Sequence, residues 1–192
     1  KGKEQMKYDM AGGGAVLGIM IIAALLKLPV NLVGLVPLAE NMPSGSAIKP
    51  GDVVRASSGA SIEIVNTDAE GRLILADALH YVKRFKPKAV FDLATLTGAV
   101  TVVLGSRAMA AMGDHALIEK LKQCGEKMNE RVWELPLWSE YDEDIKSDVA
   151  DLQNVGKGEA GTIIGGKFLE QFVGKAYPWV HLDIASTAWV EK

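Results

Sequence analysis

The chain has 192 residues, 48% apolar and 23% charged, which is enough length and hydrophobicity for one packed core and excludes a disordered polypeptide. With 21 Lys and Arg against 24 Asp and Glu, the formal net charge of −3 offers no basic field for nucleic acid. The single cysteine, Cys124, excludes an internal disulfide, and the Cys/His spacings of zinc modules are absent, so a reducing, cytoplasmic setting is expected.

Taken in order, the chain opens on Lys1-Gly2-Lys3-Glu4, which has no apolar stretch of the signal-peptide kind. The apolar run 11–26 falls short of the ~20 residues of a membrane helix, so no membrane is expected. With small and aliphatic residues on every face, residues 12–28 predict a helix buried on all sides, ended by Pro29. Residues 30–37 form a short aliphatic run typical of a buried parallel strand, and 39–51, rich in Pro, Gly and Asn, a long loop. A strand is predicted over 62–65 and a helix from Gly71 to about Phe85, with Leu73, Leu75, Ala76 and Leu79 at helical spacing. Then come a buried strand at 89–94, a strand at 107–112, helices at 116–128, 139–145 and 161–172, and a strand at 179–184. This alternation predicts an α/β fold, a mainly parallel (mixed) central sheet with helices on both faces. Ligands of such sheets lie beyond the carboxyl ends of the strands, which places the chemistry in the loops after Val65, Ala94 and Ile184.

The sharpest motif is Asn66-Thr67-Asp68-Ala69-Glu70-Gly71-Arg72, between a strand and a helix. If it is extended, Asp68, Glu70 and Arg72 share one face. Two carboxylates could then hold divalent ions, and the guanidinium an anion or oxyanion above them. The structural alternative is that Asp68 or Thr67 caps the following helix and Arg72 pairs with a neighbour. Asp9, in Met6-Lys7-Tyr8-Asp9-Met10-Ala11-Gly12-Gly13-Gly14, is by itself more typical of an N-cap, and the glycines suggest close backbone approach. They do not make a dinucleotide fingerprint, because Leu17 stands where the third glycine belongs. The run from Gly161 to Lys167 has the glycines and lysine of a phosphate loop, but Phe168 replaces the required Ser or Thr. His80, His115 and His181 are separate in sequence, and His181 on an apolar strand reads as a core or rim residue.

In order, MKYDMAGGGAVLG, PLAENMPSGSAIKPGDV, NTDAEGRLILADAL, FDLATLTGAV, RVWELPLWSEY and HLDIASTAW resemble the catalytic domain of leucyl aminopeptidases of the cytosol aminopeptidase (M17) type. NTDAEGR is that family's signature, and the likeness spans nearly the whole chain, so residues 1–192 are expected to form one partial catalytic domain. The resemblance implies release of N-terminal residues, leucine and other apolar ones first, from peptide substrates. It implies two divalent metal ions, zinc, manganese or magnesium, with Asp9, Asp68 and Glu70 as ligands. It gives Arg72 a bound bicarbonate acting as general base, and Met6, Thr95, Leu96, Gly98, Ala185 and Ala188 the substrate pocket. A homohexamer is implied as well.

Family members carry further lysine and aspartate ligands and a catalytic lysine upstream of the position of Asp9. A chain starting at Lys1 is therefore expected to be a fragment with little activity of its own. Ser186 stands where many members have glycine. A DNA-binding or regulatory role, or a catalytically silent homologue, is the alternative.

Overall fold

The structure, a computed structural model, describes residues 3–189. A 3-10 helix over Lys3–Met10 runs straight into α1 (Ala11–Leu25), and irregular chain leads to β1 (Val53–Arg55) and β2 (Ser61–Glu63). There follow α2 (Gly71–Tyr81) with a 3-10 extension over Val82–Phe85, β3 (Val90–Ala94), α3 (Ala99–Leu104), β4 (Met109–Gly113), α4 (His115–Met128) and β5 (Val132–Glu134). A 3-10 turn over Ser139–Asp144, β6 (Leu152–Gln153), α5 (Gly161–Val173) and β7 (Trp179–Asp183) complete the described chain.

The larger sheet has the order β3-β7-β4-β5. β7 runs parallel to β3, from Val90↔Trp179 to Ala94↔Asp183, and β4 runs parallel to β5, while β4 and β7 are antiparallel. The sheet is thus mixed with a parallel majority, as the alternation of elements predicts. Every residue of β7 is buried, because helices cover both of its faces. Trp179 joins the core of α2 and α5 with Ala76, Leu79, Phe168, Leu169 and Phe172. Val180 and Leu182, pointing the other way, pack with Ala111 of β4 and Ile118 of α4. His181 and Asp183 share the Trp179 side by strand alternation. A second, three-stranded sheet, β1-β2-β6, carries the chain into the 64–70 segment.

Two expectations about the first forty residues are corrected. α1 is not buried on all sides: within it only Gly12 is fully buried, and Leu17, Ile21 and Leu25 are 57%, 60% and 75% exposed. A helix apolar all round needs cover all round, and the described residues supply it on one side only. Residues 30–37 form no strand, and Val30, Leu32 and Val33 are exposed. An aliphatic run becomes a strand only against a ladder partner, and no described strand offers one. The segment instead crosses α1, with Gly34 against Met20 and Val16 and Val36 against Gly13.

Because the 3-10 turn extends α1, the helical run Glu4–Leu25 reaches 22 residues and is, by length and composition, apolar enough to cross a membrane. Its start is nevertheless fastened to the sheet: a Cβ at Gly12 would collide with the Leu93 carbonyl oxygen. β1, α3, β5 and β6, all of six residues or fewer, are short elements that periodicity does not reveal.

Candidate metal and active site

β3 and β7 end side by side at Ala94 and Asp183, and three segments meet beyond them. The first is the turn before α1. The missing side chain of Gly12 lets α1 press onto β3, and that brings Asp9 beside the loop that follows Ala94. The Thr95 hydroxyl lies 2.7 Å from Asp9 Oδ1 and 2.8 Å from the Asp9 carbonyl oxygen, 86 residues away in sequence. Asp9 does not cap α1, whose N-cap is Met10 with no side-chain hydrogen bond.

The second segment is 66–72. It is not extended: Thr67 and Asp68 lie in a turn closed by the Ala69 N–H on the Asn66 carbonyl, the Asp68 N–H donates to Asn66 Oδ1 at 2.9 Å, and Arg72 is already the second residue of α2. A shared face by strand alternation is therefore corrected, since a turn followed by a helix breaks the period of two. α2 begins after Glu70 with no side-chain cap, so neither Asp68 nor Thr67 has the capping role. Asn41 Nδ2 donates to the Thr67 carbonyl and ties the 39–51 loop to the turn.

The charges nonetheless lie near enough to be felt at Glu70, although the carboxylate oxygens of Asp9, Asp68 and Glu70 are not drawn within 4.8 Å of one another. Burial above all holds the Glu70 carboxyl over the usual glutamate range; its own backbone N–H works against this, the negative charges of Asp9 and Asp68 push it further up, and Asn41 gives a smaller relief. Three carboxylates without capping duties, repelling one another at a strand end, are a hard-oxygen donor set suited to divalent cations. Arg72 is 7% exposed. Its Nη1 donates to the Asn154 carbonyl at 2.7 Å, and its buried Nε has no partner. Burial lowers its pKa to about 10, with Asp183 and Glu70 opposing that shift, so it remains a cation at neutral pH. A buried guanidinium with a donor to spare is suited to holding an anion.

The third segment follows β7. Asp183, fully buried, accepts hydrogen bonds from the Leu96 N–H at 3.1 Å, the Thr97 hydroxyl at 2.6 Å and the Ala185 N–H at 3.2 Å. It thereby ties the loop after β3 to the loop after β7. Ala185 is buried and Ala188 half-buried, its N–H bonded to the Ile184 carbonyl. Gly98 is exposed at the start of α3, and Met6 is 56% exposed on the 3-10 turn that carries Asp9. The Leu96 side chain packs toward Gly71 and Gly165.

Two residues of this region escape a reading of the sequence. Asp183 sits inside HLDIAS but looks there like the end of a strand. Asn154 looks like any turn asparagine, yet it is fully buried and all of its amide capacity is spent on the 65–69 segment. Nothing local could flag it, because its partners lie 85 to 89 residues away.

Other motifs resolve differently. Lys167 lies within α5, 4% exposed, with its ammonium 2.9 Å from Asp142 and 2.6 Å from Glu170, so it is committed to carboxylates and not to a phosphate. His181 is fully buried, with Nδ1 2.6 Å from Asp92 Oδ1 and Nε2 unpartnered. His115, Glu119 and Glu134 bring ligand-type atoms within 4.8 Å of one another on α4 and β5. There the Glu119 carboxylate already holds Lys122 at 2.6 Å, and His115 Nδ1 lies 2.9 Å from Glu134.

A family model described as the cytosol aminopeptidase family, catalytic domain, matches residues 1–192. A probable cytosol aminopeptidase of Geobacter sulfurreducens is 60% identical over 193 residues, covering 100% of this chain and 39% of the relative. The cytosol aminopeptidase of Pseudomonas aeruginosa is 53% identical over 190 residues, covering 98% and 38%. Among solved structures, a mutant of tomato leucine aminopeptidase superposes with a TM-score of 0.90 at 41% identity, over 98% of this chain and 38% of that one. The chain therefore spans somewhat over a third of the length of these relatives.

Proposed function

The chain belongs to the cytosol aminopeptidase family, and from that premise we propose that it is the metal-binding part of a cytoplasmic aminopeptidase acting on the N-termini of peptides, with leucine and other apolar first residues preferred. The observation that carries this reading is that Glu70 feels the charges of both Asp9 and Asp68 while the buried Arg72, which feels Glu70 in turn, has an unpartnered Nε.

Asp9, Asp68 and Glu70 would hold two divalent cations, zinc, manganese or magnesium, together with ligands from the rest of a longer polypeptide. Bound there, such cations supply Lewis acidity and lower the pKa of water. By family likeness Glu70, which feels both Asp9 and Asp68, would be the ligand shared by the two cations. Arg72 donates through Nε and its free Nη hydrogens to an anion, bicarbonate by family likeness, and so fixes a proton acceptor beside the carboxylates. Thr95 orients Asp9, and by family likeness Met6, Thr95, Leu96, Gly98, Ala185 and Ala188 would form the pocket for the first side chain. A homohexamer is the assembly that family likeness suggests.

The test is to compare this chain with a longer polypeptide of the family's length that contains it, measuring bound manganese and hydrolysis of leucine p-nitroanilide. The longer protein is expected to turn over in a Glu70-dependent way, and the 192-residue chain to fall at least ~10²–10³-fold below it, the usual cost of losing one transition-state stabiliser. Turnover by the short chain within tenfold of the long one, abolished by Glu70→Ala, contradicts the need for further ligands. No turnover and no bound metal in the longer protein contradicts the aminopeptidase reading itself.

A further inference from the structure

Asn154 follows β6 and is fully buried. Its Oδ1 accepts from the Val65 N–H at 2.8 Å and the Asn66 N–H at 3.3 Å, and its Nδ2 donates to the Asn66 carbonyl at 2.7 Å and the Ala69 carbonyl at 3.3 Å. An asparagine amide has two donor hydrogens and two acceptor lone pairs, and all four are used on one five-residue stretch. The main chain of the same residue adds two more bonds: its N–H donates to the Glu63 carbonyl at 3.0 Å, and its carbonyl accepts Arg72 Nη1 at 2.7 Å. One residue therefore grips the chain before Asp68, between Asp68 and Glu70, and at Arg72.

The turn it grips is under electrostatic load, because Glu70 feels the charges of both Asp9 and Asp68. Left to itself such a turn would open toward solvent and separate its carboxylates. A buried clamp for it must both donate and accept and must add no charge of its own. Aspartate at 154 would set its oxygens against the Asn66 and Ala69 carbonyls, and a hydrocarbon would leave four backbone groups without partners.

We propose that Asn154 is a positioning residue for cation and anion binding: it holds the 65–70 turn in the shape that gathers the carboxylates and fixes the guanidinium of Arg72. This rests on the reading of Asp9, Asp68 and Glu70 as cation ligands.

The test uses the full 192-residue chain and its Asn154→Asp, Asn154→Ser and Leu152→Ala variants. Manganese binding is followed by the spectrum of free Mn²⁺ well below the melting temperature of each variant, and amide exchange is followed over residues 63–72. Asn154→Asp is expected to bind manganese ~10–100-fold more weakly, the usual loss when a residue supporting metal ligands is removed. Exchange should rise over the turn while α5 and β7 stay protected. Leu152→Ala, which loses packing from the same strand, should lower the melting temperature without moving the affinity. If Asn154→Asp does not fold, Asn154→Ser, smaller and uncharged, carries the same expectation.

A folded Asn154 variant that keeps the parent affinity within twofold, with unchanged exchange at the turn, overturns the proposal. So does an equal loss of affinity in Leu152→Ala, which would mark a general effect of stability. If the parent chain binds no manganese at all, the binding comparison is repeated in a longer polypeptide of the family's length that supplies the remaining ligands, and absence of binding there is failure of the cation reading. The positioning claim is then decided by exchange: selective loss of protection at the turn upholds it, and uniform or absent change refutes it.

Discussion

The Thr95 hydroxyl stands 2.7 Å from Asp9 Oδ1, joining the loop after β3 to the turn before α1 across 86 residues of sequence. Thr95→Val removes this contact with little change in volume. A hydrogen bond to a charged group contributes ~1.5–3 kcal/mol, so manganese affinity at the carboxylates should fall by about tenfold or more. Thr95→Ser, which keeps the hydroxyl, should stay within threefold of the parent. Equal affinities in all three proteins would show that Asp9 does not depend on Thr95.

Glu70 gives a prediction about pH. Its folded pKa is raised above the ordinary 4.5, by burial first and then by Asp9 and Asp68. A raised folded value means a stabilising contribution that is fully present below the unfolded pKa and lost as pH rises through the folded one. In chelator at pH 7 the ionised Glu70 is thus a burden on the fold, and Glu70→Gln should raise Tm. Added manganese should stabilise the parent and leave Glu70→Gln almost unchanged. Thermal melts at pH 4 and pH 7, with and without manganese, decide it; a lower Tm for Glu70→Gln in chelator at pH 7 would contradict the electrostatic account.

Arg72 should separate catalysis from metal content. In a longer polypeptide of the family's length, Arg72→Ala is expected to lower kcat by ~10²-fold or more while bound metal stays near the parent level, because on the proposed reading the guanidinium would act on an anion and not on the cations. Arg72→Lys should recover little, since an ammonium lacks the planar fork and cannot bond both Asn154 and an anion in the same geometry. Metal content and turnover falling in parallel would mean that Arg72 organises the carboxylates instead.

Lys167, 4% exposed, carries its charge between Asp142 and Glu170. Burial works to lower its pKa, but the Glu170 and Asp142 contacts outweigh it and the net shift is upward. The pair's contribution is therefore present throughout the neutral range and lost only as pH rises beyond the ordinary lysine value. Lys167→Ala should cost ~1–3 kcal/mol in denaturant unfolding at pH 7, below the usual figure for breaking a buried pair because both carboxylates are partly solvated. Lys167→Met, which restores the hydrocarbon stem, should cost less. A larger loss in the methionine variant would mean that the stem contributes no packing there.

Much of this molecule is legible in its sequence. The elements at 71–85, 89–94, 116–128, 161–172 and 179–184 announce themselves because burial on a helix or strand imposes a period, and a period is a local property of the chain. The NTDAEGR signature and Asp9 identify the family for the same reason: the residue types stand in a fixed order that can be read without coordinates. The tertiary structure decides what depends on partners distant in sequence. It leaves α1 uncovered and residues 30–37 without a ladder, because an apolar face records a need for cover and not its source. It replaces the shared strand face of Asp68, Glu70 and Arg72 with a turn and a helix start, and it picks out Asn154 and Asp183. The buried side chain of Asn154 acquires its role from donors and acceptors that arrive from 85 to 89 residues away, and no local pattern encodes that arrival.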